Sequence, residues 1–188
     1  MYKRQNWLND RAATEARLGH ISTWETSGVT DMSLLFCGYE CDGNDWCSDC
    51  NSAAASFNED IGAWDTSGVK TMDSMFQGAA AFDQDIGAWD TSGITDMRYM
   101  FLDASAFNRD IGNWAVQSVT EMGSMFNGAS AFNQDIGGWA VHSVTSISYM
   151  FHSASAFDQD LGWCVNDNVD LSHAFEYTPC YSTSCGVE

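Results

Sequence analysis

Apolar positions in this chain follow two local patterns that alternate. In the tract VKTMDSMF, Val69, Met72, Met75 and Phe76 stand at i, i+3, i+6 and i+7, the spacing of a short helix with one buried face. The tracts VTDMSLLF, ITDMRYMF, VTEMGSMF and VTSISYMF repeat it. Start signals agree with a helix: Ser118 and Glu121 form a capping box, and Asp31 and Asp96 hold the corresponding acidic position. Gly78 and Gly128 follow where such a helix would end. The segments between, of the type FNQDIGGW, are short and bounded by Gly, Asp and Ser, which predicts a strand followed by a turn. Phe57 and Ile61 share a parity that Trp64 breaks, so a bulge or bend is expected there. Gly62, Gly87, Gly112, Gly137 and Gly162 fit places where another backbone comes close.

Both patterns sit inside a longer one. Trp64, Trp89, Trp114 and Trp139 are spaced 25 residues apart, each within a near-copy of the same segment. An upstream copy begins at His20 and contains Trp24; a degraded downstream copy, with Trp163, ends at Phe175. A fixed period of this length marks stacked coils, none of which can bury its apolar face alone. The expected fold class is therefore an α/β repeat solenoid of six coils of 25 residues, with short parallel strands on one side and short helices on the other. The expected organisation is a capping helix over residues 1–19, a solenoid over 20–176 with a Cys-rich insertion at 37–51, and a second cap over 177–188. Trp7, Leu8 and Leu18 are expected to cover the first coil. Core ladders are expected from Trp24, Trp64, Trp89, Trp114, Trp139 and Trp163, and from Phe57, Phe82, Phe107, Phe132 and Phe157.

Charge narrows the range of partners. The net charge is −19, and beyond residue 17 the only basic residues are Lys70, Arg98 and Arg109. Such a body repels nucleic acid and anionic membrane surfaces. No stretch is long and apolar enough for a membrane span. The start, MYKRQNWLND, has no apolar run, so the chain as it stands reads without a signal peptide.

Seven cysteines avoid the regular coils: Cys37, Cys41, Cys47 and Cys50 in the insertion, and Cys164, Cys180 and Cys185 near the end. This edge placement favours disulfides and an oxidising compartment over a zinc site. The favoured pairs are Cys37–Cys50 and Cys41–Cys47, with Cys180 joined to Cys164 or Cys185. Asp60, Asp85, Asp110, Asp135 and Asp160 form the sharpest polar ladder, beside Asn or Asp at 58, 83, 108, 133 and 158. Two readings stand. The aspartates accept hydrogen bonds from turn N–H groups, which is favoured, or they share calcium, the one cofactor the chain suggests. His20, His142, His152 and His173 share no repeat position, and no nucleophile elbow, P-loop or dinucleotide fingerprint occurs. An enzyme is not expected.

The shared motif, FNQDIGxWDTSxVTDMSxMFxGAxA, resembles the BspA-like leucine-rich-repeat surface proteins of mycoplasmas, lactobacilli and marine microalgae. The likeness runs over roughly residues 20–176, and the cysteine-bearing insertion and ending look most like the microalgal members. The resemblance implies a right-handed, leucine-rich-repeat-like coil and a secreted or surface-attached location with a role in adhesion. The expected function is a non-enzymatic extracellular or cell-surface binding module presenting an acidic face to a protein or glycan. The alternatives are a structural subunit of a larger assembly and a calcium-binding repeat protein.

Overall fold

A computed structural model describes residues 8–39 and 50–188. Coils succeed one another in register, with backbone bonds joining each to the next at near-constant offset: Met72 N–H donates to Asp96, Met97 to Glu121, and Met122 to Ser146. The strands and helices expected within the coils are not there. Among the described residues no sheet forms. Parallel pairing is limited to single bridges linking Asp31, Thr71, Asp96, Glu121, Ser146 and Asp170. The α/β solenoid with parallel strands facing helices is therefore overturned, and the chain is a stack of turn-built coils.

The helix pattern misled because a chain of tight turns also brings every third residue inward. Met75 N–H donates to Met72 O, Gln77 to Ser74 and Ala79 to Phe76, each an i→i−3 turn bond. The residues between them, Met72, Ser74, Phe76 and Gly78, donate outward to Asp96, Arg98, Met100 and Leu102 of the next coil. A helix would direct all of these N–H groups up its own axis, and one of about eight residues is marginal in any case. Alternation is made possible by left-handed residues: Leu34, Ser74, Tyr99, Ser124, Tyr149 and His173 have φ between 55° and 57°. Each such residue costs about 1–2 kcal/mol, so the ladder and the core beneath it must hold the conformation in place.

The strand assignment fell on the wrong half. The single bridges lie in the half read as helix, whereas residues 57–64 and their equivalents carry no backbone ladder between coils. The inward positions were nevertheless legible, and Val69, Met72, Met75 and Phe76 are all fully buried. Phe rings form a continuous column. Phe76 and Phe82 stack at 4.0 Å, and Phe76 meets Phe101 of the next coil at 5.5 Å. At about 1.5–3 kcal/mol per large buried side chain, such columns drive the stacking.

Helix α1, Arg11–Leu18, closes the start of the stack; Asp10 caps it by accepting from Ala13 N–H, and Gly19 ends it at φ 77°. Leu8 packs against the core. Trp7 lies outside the described residues. At the far end, the tail folds back on the last coil: Leu161 N–H donates to Cys185 O, and Glu188 N–H to Trp163 O.

Candidate functional site: an acidic groove along the Asp-Ile-Gly turns

The repeated Asp-Ile-Gly-x-Trp segment has a physical account for each fixed residue. Asp60 Oδ1 accepts from Gly62 N–H at 3.0 Å, an Asx-type turn. Asp85, Asp110 and Asp135 do the same with Gly87, Gly112 and Gly137. The isoleucines are fully buried. The glycines lie against the next coil: a Cβ on Gly62 would sit 2.6 Å from Asp85 O, and one on Gly112 2.7 Å from Asp135 O. The Trp indole then ties two coils together, as Trp89 Nε1 donates to Ile61 O at 3.2 Å. That carbonyl also accepts from Trp64 N–H, so both of its lone pairs are used. Trp64, Trp114, Trp139 and Trp163 repeat the bond to Ile21, Ile86, Ile111 and Ile136. Trp24, at the edge, is only partly buried and donates to Gly19 O.

Alongside runs the Asn/Asp row, which bonds coil to coil. Asn58 Oδ1 accepts from Asp83 N–H, Asp83 Oδ1 from Asn108, Asn108 from Asn133, and Asn133 from Asp158. Gln84, Gln134 and Gln159 donate to the same Asn side chains. Arg109 takes that place in the second of these rungs and pairs with Asp83 at 2.6 Å.

Between these turns opens a groove of about 570 Å³ lined by Asp60, Gly62, Ala63, Asp85, Gly87, Ala88, Asp110 and Asn113. Its three aspartates are exposed, and Oδ2 of each has no hydrogen-bond partner among the described residues. The lining holds no His, Cys, Ser or Lys. It can accept hydrogen bonds and attract cations. Asp135 stands beyond the lining. Asp160 departs from the pattern: Gly162 has φ +58°, and Asp160 borders a separate hollow of about 240 Å³ with Cys180, Thr183 and Gly186. Among the described residues no group of three or more His, Cys, Asp or Glu is gathered to hold a metal ion.

Cysteines occupy the stack's irregular parts. Cys37 is joined to Cys50 and Cys180 to Cys185, while Cys164 is free and exposed. Cys41 and Cys47 lie outside the described residues. One grouping escaped the sequence reading. His173 Nδ1 lies 2.8 Å from Glu176 Oε1 and His152 Nε2 lies 3.8 Å from Glu176 Oε2, with Tyr149 stacked on His173 at 4.7 Å. Tyr149 and His173 are equivalent left-handed positions of adjacent coils, a register hidden by the one-residue-shorter last repeat.

These features define a class: a repeat protein whose coils are joined by turns, with side chains as well as backbone forming the rungs. The family described as "Mycoplasma protein of unknown function, DUF285" matches residues 8–117, 44–164 and 85–185, and the chain belongs to it. No characterised protein and no solved structure matches the chain. Among the described residues no helix is long and apolar enough to cross a membrane.

Proposed function

We propose that this chain is a non-enzymatic binding module of the BspA-like, extracellular or cell-surface kind, whose acidic groove receives a protein or glycan partner. The observation that carries the reading is the row formed by Asp60, Asp85 and Asp110. One oxygen of each carboxylate is held by its own turn and the other has no partner within the described chain. Such a row is pre-organised to accept from the hydroxyls of a glycan or the cationic side chains of a protein segment, with little side-chain ordering left to occur on binding. The disulfides at Cys37–Cys50 and Cys180–Cys185 favour an oxidising compartment.

The test is a screen of the whole chain against arrays of glycans and basic peptides, followed by titration of any hit with the Asp85→Asn, Asp110→Asn double variant. A binder weakened at least tenfold by the double substitution supports the reading. An empty screen, or a binder indifferent to those two residues, overturns it.

A further inference from the structure

Two adjacent positions of each coil form rows along the flank of the backbone rungs. One row is Ser74, Tyr99, Ser124, Tyr149 and His173, all left-handed. The other is Asp73, Arg98, Gly123, Ser148 and Ser172. In the first row neighbouring rings stack at one coil's rise, as Tyr149 does on His173 at 4.7 Å. Ser124 interrupts that row. Beside it the second row reaches its smallest residue, Gly123, where a Cβ would meet nothing closer than Ser148 Oγ at 3.4 Å. The coil of residues 119–126 therefore carries almost no side chain at these two positions, between two coils that each project a tyrosine. Tyr99 is 41% exposed and Tyr149 39%. Two rises of about 4.8 Å separate the tyrosines, so a notch with room for one further ring lies between them, floored by Gly123 and Ser124. Asn127 stands to Ser124 as His152 stands to Tyr149, whose rings lie 5.5 Å apart, and so borders the notch. Neither the Ser124 hydroxyl nor the Asn127 amide has a hydrogen-bond partner among the described residues.

We propose that this notch binds an uncharged glycan, with one pyranose ring inserted between Tyr99 and Tyr149. A pyranose has C–H groups on its two faces and hydroxyls around its rim. The C–H groups meet the negative faces of the phenol rings. The rim hydroxyls meet Ser124 and Asn127, each of which can both donate and accept. An aromatic side chain would fill the same width, but it would cover that hydroxyl and amide without pairing them, which weakens binding. Charge decides which glycans enter. Arg98, beside Tyr99, is already paired with Asp96 at 2.6 Å, so it offers no free cation to a sulfate or uronate. The body as a whole carries −19 and repels anionic guests. The notch lies on the other half of the coil from the acidic groove, and the proposal does not rest on that groove.

The experiment is calorimetric titration of the whole chain with cellohexaose, laminarihexaose and mannohexaose, each at low and high NaCl. The expected result is binding of at least one of them, with an affinity that changes less than about twofold with salt. Ser124→Tyr fills the notch with a ring, and Tyr99 and Tyr149 show that the left-handed backbone accepts one. That variant should keep its melting midpoint and bind about tenfold more weakly or worse. Tyr149→Ala, which removes one wall, should weaken binding comparably. No binding of any of the three sugars overturns the proposal, and so does binding indifferent to both substitutions. A response confined to the Asp85→Asn, Asp110→Asn double variant would place the sugar in the acidic groove and overturn this site alone. Binding of N-acetyltryptophanamide without any sugar also overturns it, making the notch a seat for a protein side chain.

Discussion

Each coil has two flanks built on opposite principles. Along the flank containing residues 70–78, rungs are backbone bonds, so the side chains there are free to change: positions 73, 98, 123 and 148 hold Asp, Arg, Gly and Ser. Along the flank containing residues 57–64, rungs are side-chain bonds, and Asp, Ile or Leu, and Gly recur with little change. The lesson is that internal repetition in a sequence marks where side chains do the joining. A backbone ladder asks only for tolerable φ and ψ and an inward apolar residue, and so leaves a weaker trace.

The comparison breaks most readily at the indoles. Trp114→Ala should cost about 3–5 kcal/mol in a denaturant melt, through the cavity and the lost bond to Ile86 O. Trp114→Phe should recover most of this and leave a deficit of about 1 kcal/mol for the missing N–H. Next come the glycines. Gly112→Ala should cost about 1–3 kcal/mol, because the backbone oxygen of Asp135 stands in the way. Gly138→Ala, with nothing within 4 Å, should shift the midpoint by no more than about 0.5 kcal/mol. Equal effects of the two would refute the close-approach account.

Smaller effects sharpen the contrast. Asn108→Ala removes the acceptor for Asn133 N–H and Gln134 and should cost about 1 kcal/mol by the same melt. On the other flank, Lys70→Ala should be silent within about 0.5 kcal/mol, since Lys70 contributes its carbonyl to Thr95 N–H and not its side chain. Ser124→Gly relieves a left-handed residue and should stabilise by up to about 1 kcal/mol. The smallest effect concerns pH. Hydrogen bonds from the Ser92 hydroxyl and then its N–H hold Asp90 below the ordinary carboxylate value. A depressed folded pKa contributes stability above the unfolded value that is lost as pH falls through the folded one. Asp90→Asn should therefore flatten the acid limb of the stability curve slightly, seen as a reduced midpoint change between neutral pH and pH about 3.

Much of the site was legible from the residues. For Asp60, Asp85, Asp110 and Asp135 the Asp-Gly pair was readable as a turn from residue chemistry, and Gly62, Gly87, Gly112 and Gly137 as points of close approach. Gly162, expected to behave alike, has nothing within 4 Å of a Cβ placed on it and no turn bond to Asp160 among the described residues. The groove itself was not, because it exists only between coils and depends on the offset that places Asp85 beside Asp60. The His152–Glu176–His173 grouping was hidden for the same reason. Spacing of three along the chain was ambiguous between a helix and consecutive turns, and local sequence could not separate them.

By itself the sequence determined the period, the number of coils, which residues point inward, the acidic character and the edge placement of the cysteines. These follow from composition and recurrence, which do not depend on how N–H groups are paired. Only the tertiary structure decided that pairing. An N–H that could close a helix within its own coil is given instead to the coil that follows, because stacked phenylalanines, methionines and indoles bring that coil close enough to accept it. The alternating left-handed residues are tolerated on the same account: the neighbours that hold them exist only once the stack has formed.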